Sequence, residues 1–298
     1  MLRELSSSEA RHLFTALRKA ANHPLLLRFR YSDDEILNKI ASTAHKHGHF
    51  GPYCDYQRVR AEIEKMSDFD IHRICLDYPN QLLEFILQGD VLYDSPKFVA
   101  LREMVPALIA DGHRILIFSQ WTRLLDLLEL LMVDIGIFYL RLDGSTAVRE
   151  RQVLIDEFNA NTEIPVFLLS TKAGGLGINL TAADTVIMHD LDFNPENDKQ
   201  AQDRCHRIGQ QKQVTVYKLV CTDSVDEDIF NMGERKSKLS SAILHNSNSE
   251  TAKGSGKKKA TTEKKNDIEV EIKEDEEEED IGAIGWILQK ALLRVQNR

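Results

Sequence analysis

The sequence predicts an α/β fold: a parallel sheet with helices on both faces, preceded by a small helical region and followed by a disordered tail. Three observations support this. From residue 94 onward, short apolar runs alternate with helical patterns, and such runs are typical of parallel strands buried on both faces. Residues 1–92 have helical periodicity without these runs. Residues 246–280 are rich in charge and poor in apolar side chains, so they cannot bury a core.

The first region consists of predicted helices. Apolar residues recur at helical spacing, and Asp68 and Asn80 are suitable N-cap residues for the last two helices. The predicted helices span 9–28, 33–46, 57–66, 71–76 and 82–88. We expect this region, residues 1–92, to be a helical unit without a sheet.

A second unit begins near Ser95, a good N-cap that precedes Pro96, a good first helical residue. The predicted strands span 114–119, 138–142, 166–170, 185–189 and 214–220. The predicted helices between and after them span 122–135, 147–159, 199–207 and 225–241. We expect one domain over 93–245, a disordered charged linker over 246–280 and a short amphipathic helix over 281–298.

The composition limits the functional classes. The chain has 298 residues, with 38 basic and 47 acidic side chains and a net charge of −9, so it lacks the basic footprint of a simple nucleic-acid binder. A protein that holds phosphates with backbone amides and helix N-termini remains compatible with this charge. No apolar run reaches about 18 residues and no signal-peptide pattern opens the chain, so we expect no membrane association. Four cysteines without a C-x-x-C pair suit a reducing compartment.

The most informative stretch is residues 200–210, QAQDRCHRIGQ, which places Arg204 and Arg207 three residues apart. On a helix these two guanidinium groups lie on one face. Each group offers a rigid fork of donors that keeps its charge, so the pair can clamp a polyphosphate. A bare R-x-x-R could equally be a solvated basic turn.

Three further motifs follow predicted strands, where ligands of parallel sheets bind. They are ILIFSQWT at 115–122, RLDGST at 141–146 and LSTKAGGLGINL at 169–180. In the third motif, Gly175 and Gly177 would let the backbone approach a phosphate closely. Each motif alone is weak, because such residues also serve ordinary loops. Trp121, Arg141 and Asp143 are expected to pack or to support the structure.

In their order along the chain, these motifs and the arginine pair resemble those of the second helicase lobe of SWI/SNF-type ATP-dependent DNA translocases. The resemblance implies that the α/β fold is a RecA-like parallel sheet. The resemblance covers about residues 8–245. Residues 66–75 and 179–207 are most similar to the SMARCAD/Etl (Fun-type) chromatin remodellers, and residues 17–26 resemble the helix that ends the first lobe's insertion in this family.

The resemblance implies a role for each motif. Arg204 and Arg207 would reach the γ-phosphate of ATP held by a first lobe, and Gln200 would orient Arg204. Asp190 and Asp203 are candidates for holding the arginines. The implied nucleotide-binding residues are Gly175, Gly177, Asn179, Arg204 and Arg207. The implied DNA-binding residues are Ser119, Gln120, Gly144, Ser145, Thr146, Ser170 and Thr171.

The resemblance also implies partners: double-stranded DNA and nucleosomes, a first RecA-like lobe, ATP with magnesium, and a nuclear location. The acidic tail could contact histones. The sequence contains neither the phosphate-binding P-loop motif G-x-x-x-x-G-K-[S/T] nor a D-E-x-H box. We therefore expect a fragment or truncated product that is inactive alone. The alternative is a non-catalytic module that binds nucleic acid or histones.

A cluster of His45, His47, His49, Cys54 and Cys75 raises the question of zinc. The spacing of these residues matches no standard zinc site. We expect no bound metal.

Overall fold

The computed structural model describes residues 6–174, 178–203, 205, 210, 212–250 and 282–295, without the side chains of 174 and 239–250. The chain separates into two compact units. One contains Met1–Arg18, Leu191–Glu196 and Cys221–Arg298, and the other contains Lys19–Asp190 and Asn197–Val220.

The first helices are α1 (Ser7–Asn22), α2 (Asp34–Lys46), α3 (Tyr56–Lys65), α4 (Asp68–Asp77) and α5 (Pro79–Leu82). The predicted helix over 9–28 is too long. It ends at Asn22 because Pro24 disfavours helical backbone at His23, which has φ −162° and ψ 130°. A short 3₁₀ turn, Pro24–Leu26, follows. The helices enclose a core of their own, which includes Ile40, Ile63 and Ile71.

The prediction that Asp68 caps a helix is wrong. Ser67 caps α4 instead, in a capping box with Asp70. The buried Asp68 carboxylate accepts backbone N–H groups from Phe29, Arg30 and Tyr31 at 2.9–3.2 Å. This carboxylate therefore holds the loop before α2 against the start of α4. The predicted helix capped by Asn80 is also replaced, by α5 and a 3₁₀ turn, Leu83–Phe85.

The second region forms the predicted parallel sheet. Its strands are β1 (Ile115–Ser119), β2 (Tyr139–Leu142), β3 (Val166–Ser170), β4 (Thr185–Met188) and β5 (Thr215–Lys218), in the order β2-β3-β1-β4-β5. All four neighbouring pairs are parallel. The RecA-like fold class is confirmed. The strand predicted over 166–170 has the predicted bounds, and the other four predicted strands are found with slightly shorter bounds.

One helix precedes the first strand, and further helices lie between consecutive strands, as the crossovers of a parallel sheet require. They are α6 (Pro96–Ala110), α7 (Thr122–Asp134), α8 (Val148–Ala160), α9 (Thr171–Gly174) and α10 (Pro195–Gln202). Every residue of β1 and β3 is buried, and a core of α6, α7 and strand side chains packs together with Trp121 at its edge. This confirms that Trp121 is a packing residue.

The last two helices are α11 (Val225–Glu250) and α12, residues 282–295. Helix α11 continues beyond the predicted end at 241, since no Gly or Pro interrupts the chain there. The remainder of the predicted disordered linker lies outside the described residues. Among the helices that are described, none combines the length and apolarity needed to cross a membrane.

Candidate functional site

The polar motifs meet at one edge of the sheet, which we call the carboxyl edge: the residues that follow β2, β3, β1 and β4. Ser119 at the end of β1 pairs in register with Ser170 at the end of β3. Leu142 of β2 pairs with Leu169 of β3, so the 143–146 loop follows beside them. On the other side, the His189 backbone N–H donates to Phe118 O at 2.9 Å. Motifs far apart in sequence are thereby brought side by side.

Asp190 is the centre of this edge. Its buried carboxylate accepts the Ser119 hydroxyl at 2.5 Å and the Gln120 backbone N–H at 3.0 Å. Ser119 is itself fully buried, and its oxygen also accepts the Trp121 N–H at 3.0 Å. The Ser119 hydroxyl therefore orients the loop that follows β1 through hydrogen bonds within the protein.

The 143–146 loop is rigidified by Asp143. Its buried carboxylate accepts Ser145 N–H at 2.8 Å, Ser145 O–H at 2.6 Å and the Arg141 guanidinium at 2.6 and 2.9 Å. Burial would raise the pKa of Asp143, but these hydrogen bonds from Ser145 and Arg141 hold the pKa below its usual value. The structural roles predicted for Arg141 and Asp143 are confirmed, since Arg141 also pairs with Asp126 at 2.6 Å.

Buried donors at this edge that have no hydrogen-bond acceptor among the described residues include the Gln120 side-chain Nε2 and the Thr171 Oγ1. Thr171 directly follows Ser170, whose hydroxyl oxygen accepts the Ala173 N–H at 3.2 Å and so caps α9. A buried donor without an acceptor costs about 1–3 kcal/mol, so these two groups mark where an outside acceptor would be favourable.

Two residues that sequence reasoning did not assign to the site fix its loops. Gln210 donates its side-chain N–H groups to the carbonyls of Thr181 and Ala183 at 3.2 and 2.8 Å. Asn159 donates to the Asn179 carbonyl at 3.0 Å. Gln210 ends the quoted 200–210 motif and Asn159 ends the predicted helix 147–159, but their partners could not be identified without the fold. Asn179 itself is exposed.

The arginine segment is described only in part. Arg204, Arg207, Gly175 and Gly177 lie outside the described residues. The helix predicted over 199–207 is wrong in its bounds, because α10 begins at Pro195, ends at Gln202 and is followed by a turn. The side chains of Gln200 and Asp203 are exposed.

A buried lysine links the end of α1 to the carboxyl edge through two hydrogen bonds. Lys97, in the first turn of α6, donates to Asn22 Oδ1 at 2.8 Å and to the His189 carbonyl at 2.7 Å. Ser95, predicted as the N-cap of α6, instead donates its hydroxyl to the Asn22 carbonyl at 2.9 Å. The end of α1 is thus tied to the residue that precedes Asp190.

His23 completes this support as a neutral imidazole. Its Nδ1 accepts the Leu25 N–H at 3.2 Å, so the proton lies on Nε2, which donates to the Leu92 carbonyl at 3.1 Å. Burial lowers the pKa of His23 to about 4. His189, packed on the other side of Phe98, is fully buried, and burial and the neighbouring Lys97 lower its pKa as well.

We expect these imidazoles to make the fold sensitive to mild acid. In the unfolded chain the His23 imidazole is protonated below about pH 6.5, whereas in the folded chain it stays neutral down to about pH 4. The free energy of unfolding therefore falls as the pH drops through this window. His23 alone should contribute about 3 kcal/mol. Urea unfolding from pH 7 to 4 measures this: His23→Gln should flatten the curve, whereas the exposed His12→Gln should not. Parallel curves for all three proteins would contradict the assignment.

The histidines near Cys54 are arranged as a packed cluster. His47 stacks on Tyr78 with ring centroids 4.9 Å apart, and His49 Nδ1 lies 3.2 Å from the Tyr78 hydroxyl. Within the residues that the structure describes, no group of three His, Cys, Asp or Glu side chains is placed to hold a metal ion.

Comparisons with known proteins agree with this architecture. Residues 96–209 match the family described as Helicase conserved C-terminal domain. Protein CHROMATIN REMODELING 19 of Arabidopsis thaliana is 46% identical over 244 residues, which cover 82% of this chain and 32% of the relative. ATP-dependent helicase FUN30 of Saccharomyces cerevisiae is 40% identical over 248 residues, which cover 83% of this chain and 22% of that relative. The chain therefore spans about a third or less of these relatives.

A solved structure is similar in fold as well as in sequence. It is the crystal structure of the C-terminal part of the Fun30 ATPase domain, with a TM-score of 0.70 and 39% identity, and the match covers 78% of this chain and 74% of that one.

Proposed function

Because the chain belongs to the helicase C-terminal domain family, within the Fun30-type, SWI/SNF-related chromatin remodellers, we propose that it is the second lobe of an ATP-dependent DNA translocase. The observation that carries the proposal is the carboxyl edge, where loops from β2, β3, β1 and β4 meet in one row. A translocase needs such a row, because it must follow a phosphate backbone without reading bases.

On this proposal the edge holds the DNA backbone through hydroxyl and amide groups. Gln120 and Thr171 each have a buried donor without an acceptor in the part of the chain that the structure describes, and a phosphate oxygen is a strong acceptor. Exposed Gly144 leaves open space beside its backbone, so a sugar-phosphate chain could approach closely. Ser145 and Thr146 keep this loop in shape through their bonds to Asp143. Neutral contacts of this kind are compatible with a net charge of −9.

The arginine pair would supply the chemistry. When the lobes close, Arg204 and Arg207 would meet the γ-phosphate of ATP bound to the first lobe and stabilise the charge that develops on its oxygens. ATP with magnesium supplies the phosphoryl group that is transferred to water. This chain has no P-loop motif or D-E-x-H box, so the phosphate cradle and the magnesium ligands would come from the first lobe.

Chromatin is the proposed setting. DNA and nucleosomes would be the substrates, the nucleus the location, and the first RecA-like lobe the essential partner. The acidic run within 267–280 would be a contact for basic histones.

The isolated chain should neither hydrolyse ATP nor bind it tightly, since it lacks the cradle. Phosphate release should stay at background with or without duplex DNA, and DNA-stimulated release should appear when the chain is fused to a first lobe. DNA-stimulated hydrolysis by the repurified isolated chain would contradict the proposal that the first lobe supplies the phosphate cradle and the magnesium ligands.

A second candidate is a non-catalytic module that binds nucleic acid or histones. The missing phosphate cradle favours it for this chain taken alone. The fused protein separates the two functions, because a non-catalytic module would bind DNA but would give no DNA-stimulated hydrolysis.

A further inference from the structure

Helix α12 is held by an ion pair that is unusually well buried. Asp228, in the first turn of α11, is 0% exposed. Two guanidinium nitrogens of Arg294 in α12 donate hydrogen bonds to the Asp228 carboxylate, at 2.7 Å to Oδ2 and 3.1 Å to Oδ1. Lys290 donates to Oδ1 at 3.3 Å. Two cations from one helix therefore neutralise one buried carboxylate of another.

Further contacts fix the orientation of α12. Arg294 also donates to the Ser224 carbonyl at 3.1 Å, in the residue just before α11. Lys290 lies over the Trp286 ring, 4.2 Å from its centroid. Trp286, Lys290 and Arg294 are spaced four residues apart, so they form one stripe along the helix. This stripe presents a regular row of positive charge to the acidic first turn of α11, which contains Asp226, Glu227 and Asp228.

The buried face of α12 is not simply its apolar face. Ile287 and Leu288 are 0% and 2% exposed, whereas the apolar residues Leu292 and Val295 of the same helix are 41% and 74% exposed. The buried face thus combines the apolar pair Ile287 and Leu288 with the two cations that bind Asp228.

We propose that the first turn of α11 is a docking surface for a basic amphipathic helix, and that α12 is its occupant within the same chain. The surface selects a helix with two cationic residues one turn apart beside a buried apolar pair. The docking is exchangeable, because an undocked Asp228 regains water instead of being left buried and unpaired. A helix of the same pattern, supplied from outside, can therefore take the place of α12.

Hydrogen–deuterium exchange of the full chain tests the contact. Arg294→Gln should speed exchange of the α12 amides by on the order of 100-fold, because it removes a bidentate buried pair. Arg235→Gln, which removes an exposed arginine of α11, is the matched control and should leave α12 protected. Equal exchange in both variants overturns the proposal. Protection of α12 that rises with protein concentration overturns the intrachain assignment in favour of a second copy.

A labelled peptide of residues 282–298 tests the exchange. It should bind the Arg294→Gln chain, whose surface is vacant, and should bind the wild-type chain at least about tenfold more weakly, because α12 occupies the surface there. Adding Asp228→Asn to the Arg294→Gln chain should abolish peptide binding. Failure of the peptide to bind the Arg294→Gln chain shows that the turn is not a docking surface. Equal binding to the wild-type chain shows that α12 does not occupy it.

Discussion

Arg207→Lys, in the chain joined to a first lobe, is expected to lower ATP turnover by about 10³–10⁵-fold, as the loss of an arginine finger does in other phosphoryl-transfer enzymes. This corresponds to about 4–7 kcal/mol of transition-state stabilisation. Lysine keeps the charge but loses the planar fork that binds two phosphate oxygens. ATP affinity should change little and DNA binding should persist, since the arginine acts when the transition state forms. Steady-state phosphate release with saturating DNA measures the effect.

Arg204→Lys should behave in the same way, and Arg235→Lys provides the control. Arg235 is an exposed arginine on α11, so its replacement should alter stability by less than about 0.5 kcal/mol and leave turnover intact. Wild-type turnover in both Arg204→Lys and Arg207→Lys would remove the catalytic assignment. If Arg207→Lys weakens ATP binding and leaves turnover unchanged, Arg207 binds ATP but does not stabilise the transition state.

Asp190→Ala should destabilise the isolated chain by about 2–5 kcal/mol. The substitution leaves the buried Ser119 hydroxyl and the Gln120 N–H without their acceptor, and each unsatisfied buried group costs about 1–3 kcal/mol. The carboxyl edge should loosen first, because Asp190 ties the end of β4 to the end of β1. Urea unfolding gives the free energy, and amide exchange at residues 119–121 locates the change.

Asp203→Ala is the matched control, since it removes the same charge from an exposed side chain. It should cost less than about 0.5 kcal/mol. In the protein joined to a first lobe, Asp203→Ala also tests whether Asp203 holds an arginine: turnover would then fall while stability stays unchanged. Equal stability of Asp190→Ala and the wild type would contradict the central role given to the Asp190 carboxylate.

The sequence by itself determined the fold class and the positions of the motifs. Uninterrupted apolar runs such as 115–118 and 166–169 predict buried parallel strands, because only a strand covered on both faces lacks polar alternation. Strand ends in such a sheet share one edge, so the motifs that follow the strands were expected there, whereas the pairing of Ser119 with Ser170 depends on the strand order that the structure shows. The arginine pair was also found from sequence, through its motif, and its catalytic role stays a prediction.

The tertiary structure decided which polar groups serve the fold and which remain for a ligand. Asp68 has the sequence signature of a cap, and Ser95 that of another, but the partners of both are distant backbone groups. The Asp190 carboxylate accepts hydrogen bonds from Ser119 and Gln120, which lie about seventy positions away along the chain. Local spacing cannot reveal such bonds, because a buried polar group is satisfied by whichever donor or acceptor the fold brings near. For the same reason, the spacing within α12 could not identify the partner of Arg294, which is Asp228, a carboxylate 66 positions away along the chain.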